Sequence, residues 1–233
     1  MFESFRSVPA SAAQSEESST SRRRFLRRGT LMGVLAVPVI GSMASSAEAG
    51  PVQDRQRPGK TGLALRGQFE SIRAHENVHV TFLVTELGSA ARPKPQFKNL
   101  LQRDFRSFAA VSQALENTGV GAYLNALPNI TSRAYVSAAG SIALVEARHA
   151  GFLNNFQGVK LTASPANAGR DPSFDAPLTP AQVRAAAGGF IASLNGGPPI
   201  DYTPGDDISI LNYALALEYL EADFYNINIP RFF

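Results

Sequence analysis

The chain has 233 residues, enough for one domain with a sizeable core, and its 44% hydrophobic and 18% charged residues exclude a disordered protein. It has no cysteine, which excludes disulfide bridges and thiolate metal sites. Six of its 22 basic and four of its 19 acidic residues lie in the first 49 positions. The remainder is almost neutral and lacks the charge that nucleic-acid binding needs.

Residues 1–49 are typical of an export signal. Several arginines precede an apolar run at 31–40, which is too short to cross a bilayer. Ala47-Glu48-Ala49 then supplies the small residues that a signal peptidase recognises. The alternative is a basic tail before a buried segment, but the order of these three features favours a signal peptide.

The run Ser21-Arg22-Arg23-Arg24-Phe25-Leu26 resembles the twin-arginine export motif. We therefore predict that the mature chain begins near Gly50 in the periplasm or elsewhere outside the cytoplasm. A flexible leader rich in Pro, Gly and Arg is expected over 50–63, and the folded domain over 64–233.

The first predicted helix covers about 64–88 and ends at Gly88. Apolar residues at steps of three and four trace one face of this helix, and Glu76 and His79 lie on the same face. The second predicted helix runs from an N-cap at Asp104 to about 127 and carries Glu116.

The third predicted helix covers about 131–156 and again places a glutamate three residues before a histidine, Glu146 and His149. A shorter helix is expected over 180–194, with Thr179 as its N-cap. The last predicted helix covers about 207–226 and carries Glu218. No segment alternates as a strand does, so the sequence predicts an all-α bundle.

Two of the four long helices thus carry Glu-x-x-His, and the other two carry a glutamate with a tyrosine seven residues later. Residues i and i+3 lie one above the other on a helix, so a carboxylate and an imidazole at this spacing can bind one ion. This is the pattern of di-iron and di-manganese carboxylate bundles. Oxygen and nitrogen ligands without sulfur favour two iron or manganese ions. The predicted metal ligands are Glu76, His79, Glu116, Glu146, His149 and Glu218.

Three residues near these ligands leave alternatives open. Glu221 competes with Glu218, and we favour Glu218 because its distance from Tyr225 repeats the spacing of the other glutamate–tyrosine pair. Both tyrosines, Tyr123 and Tyr225, are interpreted as packing residues rather than redox residues. His75 lies off the stripe and is expected to be exposed or to contact a ligand from outside.

Several segments resemble the ferritin-like domains of bacterial and plant desiccation-related proteins. They are ENVHVTFL, ENTGVGAY, VEARHAGFL, PSFDAPLTPAQV and LNYALALEYLEADFY, and the resemblance covers most of 64–228. It implies a ferritin-like four-helix bundle that could hold two iron or manganese ions. The biochemical activity of that family is poorly defined, so the resemblance implies a fold more firmly than a reaction.

The order of the segments departs from that family, in which the segment similar to LNYALALEYLEADFY opens the domain. Here it closes the chain. Either the domain is circularly permuted, with 157–206 returning along the bundle, or the last helix completes a neighbour's bundle in a swapped homodimer. We favour closure within one chain over the dimer, and over a truncated gene with an incomplete site.

The resulting hypothesis is an exported ferritin-like protein with a dinuclear iron or manganese site and an oxidative or stress-protective role. Whether it is a di-iron or di-manganese oxidoreductase stays open. Its partners would be metal ions, with no nucleic acid and no membrane span after signal cleavage. The alternative is a metal-free structural or protective protein of the cell envelope on the same scaffold. Iron storage in a closed cage has no support in the sequence.

Overall fold

The computed structural model describes residues 60–233, so the predicted signal peptide and the leader up to residue 59 lie outside the described residues. This part of the chain forms five α-helices and two short strands. They are α1 (Lys60–Leu87), β1 (Gln96–Phe97), α2 (Phe105–Ala126), α3 (Arg133–Phe156), α4 (Pro180–Ala187), β2 (Ile191–Ser193) and α5 (Asp207–Phe232). The four long helices form a bundle, which confirms the predicted all-α fold class.

Side chains before the helices fix where α2 and α4 begin. Asp104 accepts a hydrogen bond from the backbone N–H of Ser107 at 2.7 Å, and the Ser107 hydroxyl reaches back to the Asp104 backbone. Thr179 and Gln182 make the same reciprocal pair before α4. Such caps satisfy N–H groups that have no partner inside a helix, so both predicted N-caps are present.

Three helix boundaries differ from those predicted. α1 begins at Lys60, inside the predicted leader, and α5 continues past Pro230 to Phe232. The rings of Phe232 and Phe233 pack against Phe105, which holds this last turn in place. The short helix α4 ends seven residues early, since two glycines follow Ala187 and favour a 3₁₀ turn.

One short strand pair, which no alternation in the sequence indicated, is added to the all-α fold of the described residues. β1 and β2 form an antiparallel pair, and the Lys98 N–H donates to the Phe190 carbonyl at 2.8 Å. Strands of two and three residues are too short to show alternation in the sequence. Their pairing joins segments almost a hundred residues apart and therefore depends on the tertiary structure.

The chain's own last helix closes the bundle. α5 packs on α1, and contacts join Arg66 with Phe233, Asn77 with Asn226, and Arg92 with Asn212. Because the residue numbers rise on one helix as they fall on the other, the two helices run antiparallel. Segment 157–206, which contains α4, connects the end of α3 to the start of α5.

Two apolar clusters fill opposite ends of the bundle. One is rich in phenylalanine and includes Phe69, Phe108, Leu153 and Phe224. The other includes Leu83, Tyr123, Ile142, Leu211 and Leu215. The polar residues described below lie on the same helices between these two clusters. Among the described helices, none combines the length and hydrophobicity needed to cross a membrane.

The packing of Leu178, just before α4, on α2 predicts the effect of a substitution at Gly121. A Cβ there would lie 2.6 Å from Cγ of Leu178, whose N–H donates to the Gly121 carbonyl. We expect Gly121→Ala to lower the free energy of unfolding by about 1–3 kcal/mol through overpacking. Gly140→Ala is the control, because a Cβ at Gly140 meets nothing within 4 Å and should stabilise α3 by about 0.5–1 kcal/mol. Urea unfolding measures both, and equal effects would contradict the analysis.

Candidate metal centre

The structure brings all six predicted ligand side chains together in the interior. Glu76 and His79 come from α1, Glu116 from α2, Glu146 and His149 from α3, and Glu218 from α5. The four carboxylates are fully buried, and the two histidines are 8% and 5% exposed. Ligand atoms within 4.8 Å of one another form two groups, Glu76–His79–Glu146–Glu218 and Glu76–Glu116–Glu146–His149.

Glu76 and Glu146 belong to both groups, and they also hold the unsatisfied oxygens. Both Oε atoms of Glu146 and Oε1 of Glu76 are buried without a hydrogen bond of good geometry, although an imidazole nitrogen lies 3.1 Å from Glu146 Oε1 and another lies 3.0 Å from Glu76 Oε1. Burying a carboxylate oxygen without a partner costs several kcal/mol. The two carboxylates between the groups therefore have oxygens free for a cation.

Each histidine directs Nδ1 at three carboxylates. Nδ1 of His79 lies 3.2 Å from Glu76 Oε2, 3.1 Å from Glu146 Oε1 and 3.2 Å from Glu218 Oε2. The corresponding distances from Nδ1 of His149 are 3.0 Å to Glu76 Oε1, 3.0 Å to Glu116 Oε2 and 4.0 Å to Glu146 Oε2. One N–H cannot satisfy three acceptors, whereas one metal ion can bind several oxygens and a nitrogen together.

The carboxylates and imidazoles shift each other's pKa values strongly. Burial lowers the pKa of His79, but its hydrogen bonds with Glu218 and Glu76 outweigh burial and raise it to about 10. The pKa of His149 also rises to about 10, because the charge and hydrogen bond of Glu116 outweigh burial. Burial raises the pKa of Glu218 to about 7, and burial with neighbouring carboxylates raises that of Glu146 well above its usual range. Without a cation, the centre therefore retains protons at neutral pH.

Two tyrosines bind the carboxylates that belong to only one group each. Tyr123 on α2 donates to Glu218 on α5 at 2.5 Å, and Tyr225 on α5 donates to Glu116 on α2 at 2.6 Å. The interpretation of these tyrosines as packing residues was incomplete: both are buried, but their hydroxyls orient the carboxylates. The sequence indicated this symmetry, because Tyr123 follows Glu116 and Tyr225 follows Glu218 by seven residues in both cases.

Two further residues, His75 and Glu221, lie beside the centre. His75 is exposed, and its Nδ1 lies 2.9 Å from Nε2 of His149, so it contacts a predicted ligand from outside. Glu221 is buried but belongs to neither group. A Cβ at Gly119 would lie 3.3 Å from Glu146 Oε2 and 3.4 Å from Glu221 Oε1. The absence of a side chain at Gly119 therefore lets both carboxylates approach α2, a requirement that the sequence analysis missed.

The residues present fit two divalent cations. Four carboxylates can offset most of the charge of two such ions, and the donor set of oxygen and imidazole nitrogen suits iron or manganese. Each group offers three carboxylates and one imidazole, and the unsatisfied oxygens lie on the two shared carboxylates. The tyrosine hydroxyls then act as the outer hydrogen-bond partners that orient metal ligands.

Comparisons with known proteins agree with this geometry. A family model described as a ferritin-like domain matches residues 44–159. The matched range includes α1, α2 and α3 and five of the six predicted ligands, but it ends before α5. The permuted helix order and the desiccation-related subfamily therefore stay predictions. No curated protein and no solved structure matches the chain.

In the metal-free protein, we expect the free energy of unfolding to fall as the pH rises from about 4.5 to about 10. The pKa values of His79 and His149 are about 10 in the folded protein and 6.5 ordinarily, so the stability they add is complete below pH 6.5 and is lost as the pH rises through 10. Glu218, with its pKa raised from 4.5 to about 7, acts in the same direction at lower pH.

Urea unfolding at a series of pH values, with chelator present, measures this dependence. The double variant His79→Gln, His149→Gln should show a flatter dependence between pH 6.5 and 10. Metal-free protein whose stability increases over that interval would contradict the assignment.

Proposed function

The chain belongs to the ferritin-like family, and from that premise we propose that it holds two iron or manganese ions and serves an oxidative or stress-protective role outside the cytoplasm. One observation carries this proposal more than any other. Within the two groups, the carboxylate oxygens that lack a hydrogen bond of good geometry lie on Glu76 and Glu146, the two carboxylates common to both groups. Two cations, one in each group, would satisfy those oxygens.

Each ion would have its own imidazole and its own tyrosine-bound carboxylate. His79 and Glu218 would hold one ion, with Tyr123 orienting Glu218. His149 and Glu116 would hold the other, with Tyr225 orienting Glu116. Glu76 and Glu146 would contact both ions, which completes the ligand set of Glu76, His79, Glu116, Glu146, His149 and Glu218.

The surroundings of the centre suit oxidative chemistry. Bound iron or manganese would supply redox chemistry with dioxygen or peroxide. The chain's contribution is to exclude water, since the four carboxylates are fully buried between two apolar clusters. The tyrosine hydroxyls and His75 limit movement of the ligands through their hydrogen bonds. Fixed, dry ligands strengthen the electrostatic interactions with a bound ion.

Metal content tests the proposal directly. Protein from metal-replete cells should contain about two iron or manganese ions per chain, and each ion, at a hundred times its Kd, should add about 2.7 kcal/mol to the free energy of unfolding. Glu76→Gln should lose both ions because Glu76 belongs to both groups, whereas Glu218→Gln should lose chiefly the ion of the His79 group. Elemental analysis with an Fe/Mn/Zn ratio and thermal unfolding measure these outcomes.

Glu86→Gln is the matched control, because Glu86 is an exposed glutamate on the same helix as Glu76. It should keep the full metal content and the full thermal shift. A wild-type protein with almost no metal, or a Glu76→Gln protein with unchanged metal content, would refute the dinuclear site. Either result would favour the metal-free protective protein instead.

Export by the twin-arginine pathway is the second part of the proposal. It rests on Arg22 and Arg23, the apolar run after them and the small residues before Gly50. We expect Arg22→Lys with Arg23→Lys to leave uncleaved precursor in the cytoplasm, while Arg27→Lys with Arg28→Lys is still exported. Cell fractionation and mass spectrometry of the N-terminus measure the outcome, and export of the first double variant would count against this pathway.

A further inference from the structure

An apolar cavity lies one helical turn from the candidate metal centre. All four long helices contribute to its wall, and the residues that locate it are Leu83, Tyr123, Ala139, Ile142, Ala214 and Leu217. It has about 10 Å³ of space for the centre of a water-sized molecule. This is room for one small molecule and not for a longer chain.

The cavity and the metal centre share a boundary. Leu83 follows His79 by one turn on α1, and Ile142 precedes Glu146 by one turn on α3. Leu217 is the neighbour of Glu218 in the sequence. Residues four apart on a helix lie on the same face, so the side chains that form the cavity and those that form the centre point into the same interior. Tyr123 belongs to both: its ring lines the cavity and its hydroxyl donates to Glu218.

The chemistry of the wall selects an apolar molecule. The wall contains no charged residue, and its only side-chain polar groups are the hydroxyls of Tyr123 and Tyr213. The Tyr123 hydroxyl is already bound to Glu218, and the Tyr213 hydroxyl has no partner in the described structure. A buried water typically needs about three hydrogen bonds, whereas empty apolar cavities stay dry, and an engineered apolar cavity of about 150 Å³ takes up xenon.

We propose that this cavity holds dioxygen beside the metal centre. Dioxygen is apolar and small, and a cavity that is unfavourable for water concentrates it relative to bulk solvent. The inference rests on the proposed function, because a store of dioxygen matters only next to ions that react with it. Dioxygen would then reach the centre from the end of the bundle that contains Tyr123, Ala139 and Ile142.

Xenon is the probe, because it is apolar and independent of any metal. Xenon NMR of the purified protein should show saturable binding, both with and without metal. Ala139→Leu fills the cavity and should abolish that binding, whereas Ala134→Leu, at an exposed position on the same helix, should leave it unchanged. Ile142→Val enlarges the cavity and should retain or strengthen xenon binding, which keeps the test valid if Ala139→Leu does not fold.

The metal-loaded protein supplies the second measurement. Ala139→Leu should keep the wild-type metal content but slow the oxidation of bound iron(II) by dissolved dioxygen, and Ala134→Leu should not. Absence of xenon binding in the wild type and in Ile142→Val would overturn the inference. So would xenon binding that is lost in Ala139→Leu with no change in the oxidation rate. A protein that binds xenon but no metal would refute the proposed function, whereas one with two ions and no xenon would refute this inference alone.

Discussion

The structure depends on one constraint, which is that buried carboxylates outnumber their donors at the centre of the bundle. Five glutamates and two histidines lie inside, between apolar clusters at both ends. In the described part of the chain, the hydrogen bonds to the four glutamates of the two groups come from two imidazoles and two phenols. Three oxygens on Glu76 and Glu146 remain without a hydrogen bond of good geometry. Such an arrangement is costly unless protons or cations neutralise it. The raised pKa values of His79, His149 and Glu218 are the effect of this constraint in the absence of metal.

The apolar clusters at the two ends of the bundle make the burial of unpaired carboxylates more costly. They keep water from the carboxylates and hold the four helices in the register that directs three oxygens at each Nδ1. The reciprocal bonds from Tyr123 to Glu218 and from Tyr225 to Glu116 join α2 to α5 across the bundle. The same two bonds fix the carboxylates that belong to a single group. A rigid, dry set of oxygen and nitrogen ligands of this kind would bind a metal ion with little reorganisation.

The last helix completes the bundle from within the same chain. α5 supplies Glu218 and Tyr225, and without it each group would lose either a carboxylate or its tyrosine partner. Contacts at Arg66, Asn77 and Arg92 join α1 and the segment after it to α5 and the C-terminal residue. Segment 157–206 returns the chain to the start of α5, where Asp207 accepts hydrogen bonds from Thr131 and Ser132. All six predicted ligands therefore come from a single chain.

The sequence by itself determined the helices, two of their caps, and the spacing that pairs Glu76 with His79 and Glu146 with His149. These features depend on the geometry of one helix, in which residues three apart share a face whatever surrounds them. Only the tertiary structure decided that Glu76 and Glu146 are shared, that Glu218 rather than Glu221 lies against His79, and that each tyrosine binds the carboxylate of the opposite helix. It also decided the pairing of β1 with β2, which the sequence did not indicate. These outcomes depend on the rotation and register of one helix against another, which the packing of side chains from distant segments sets and no local pattern records.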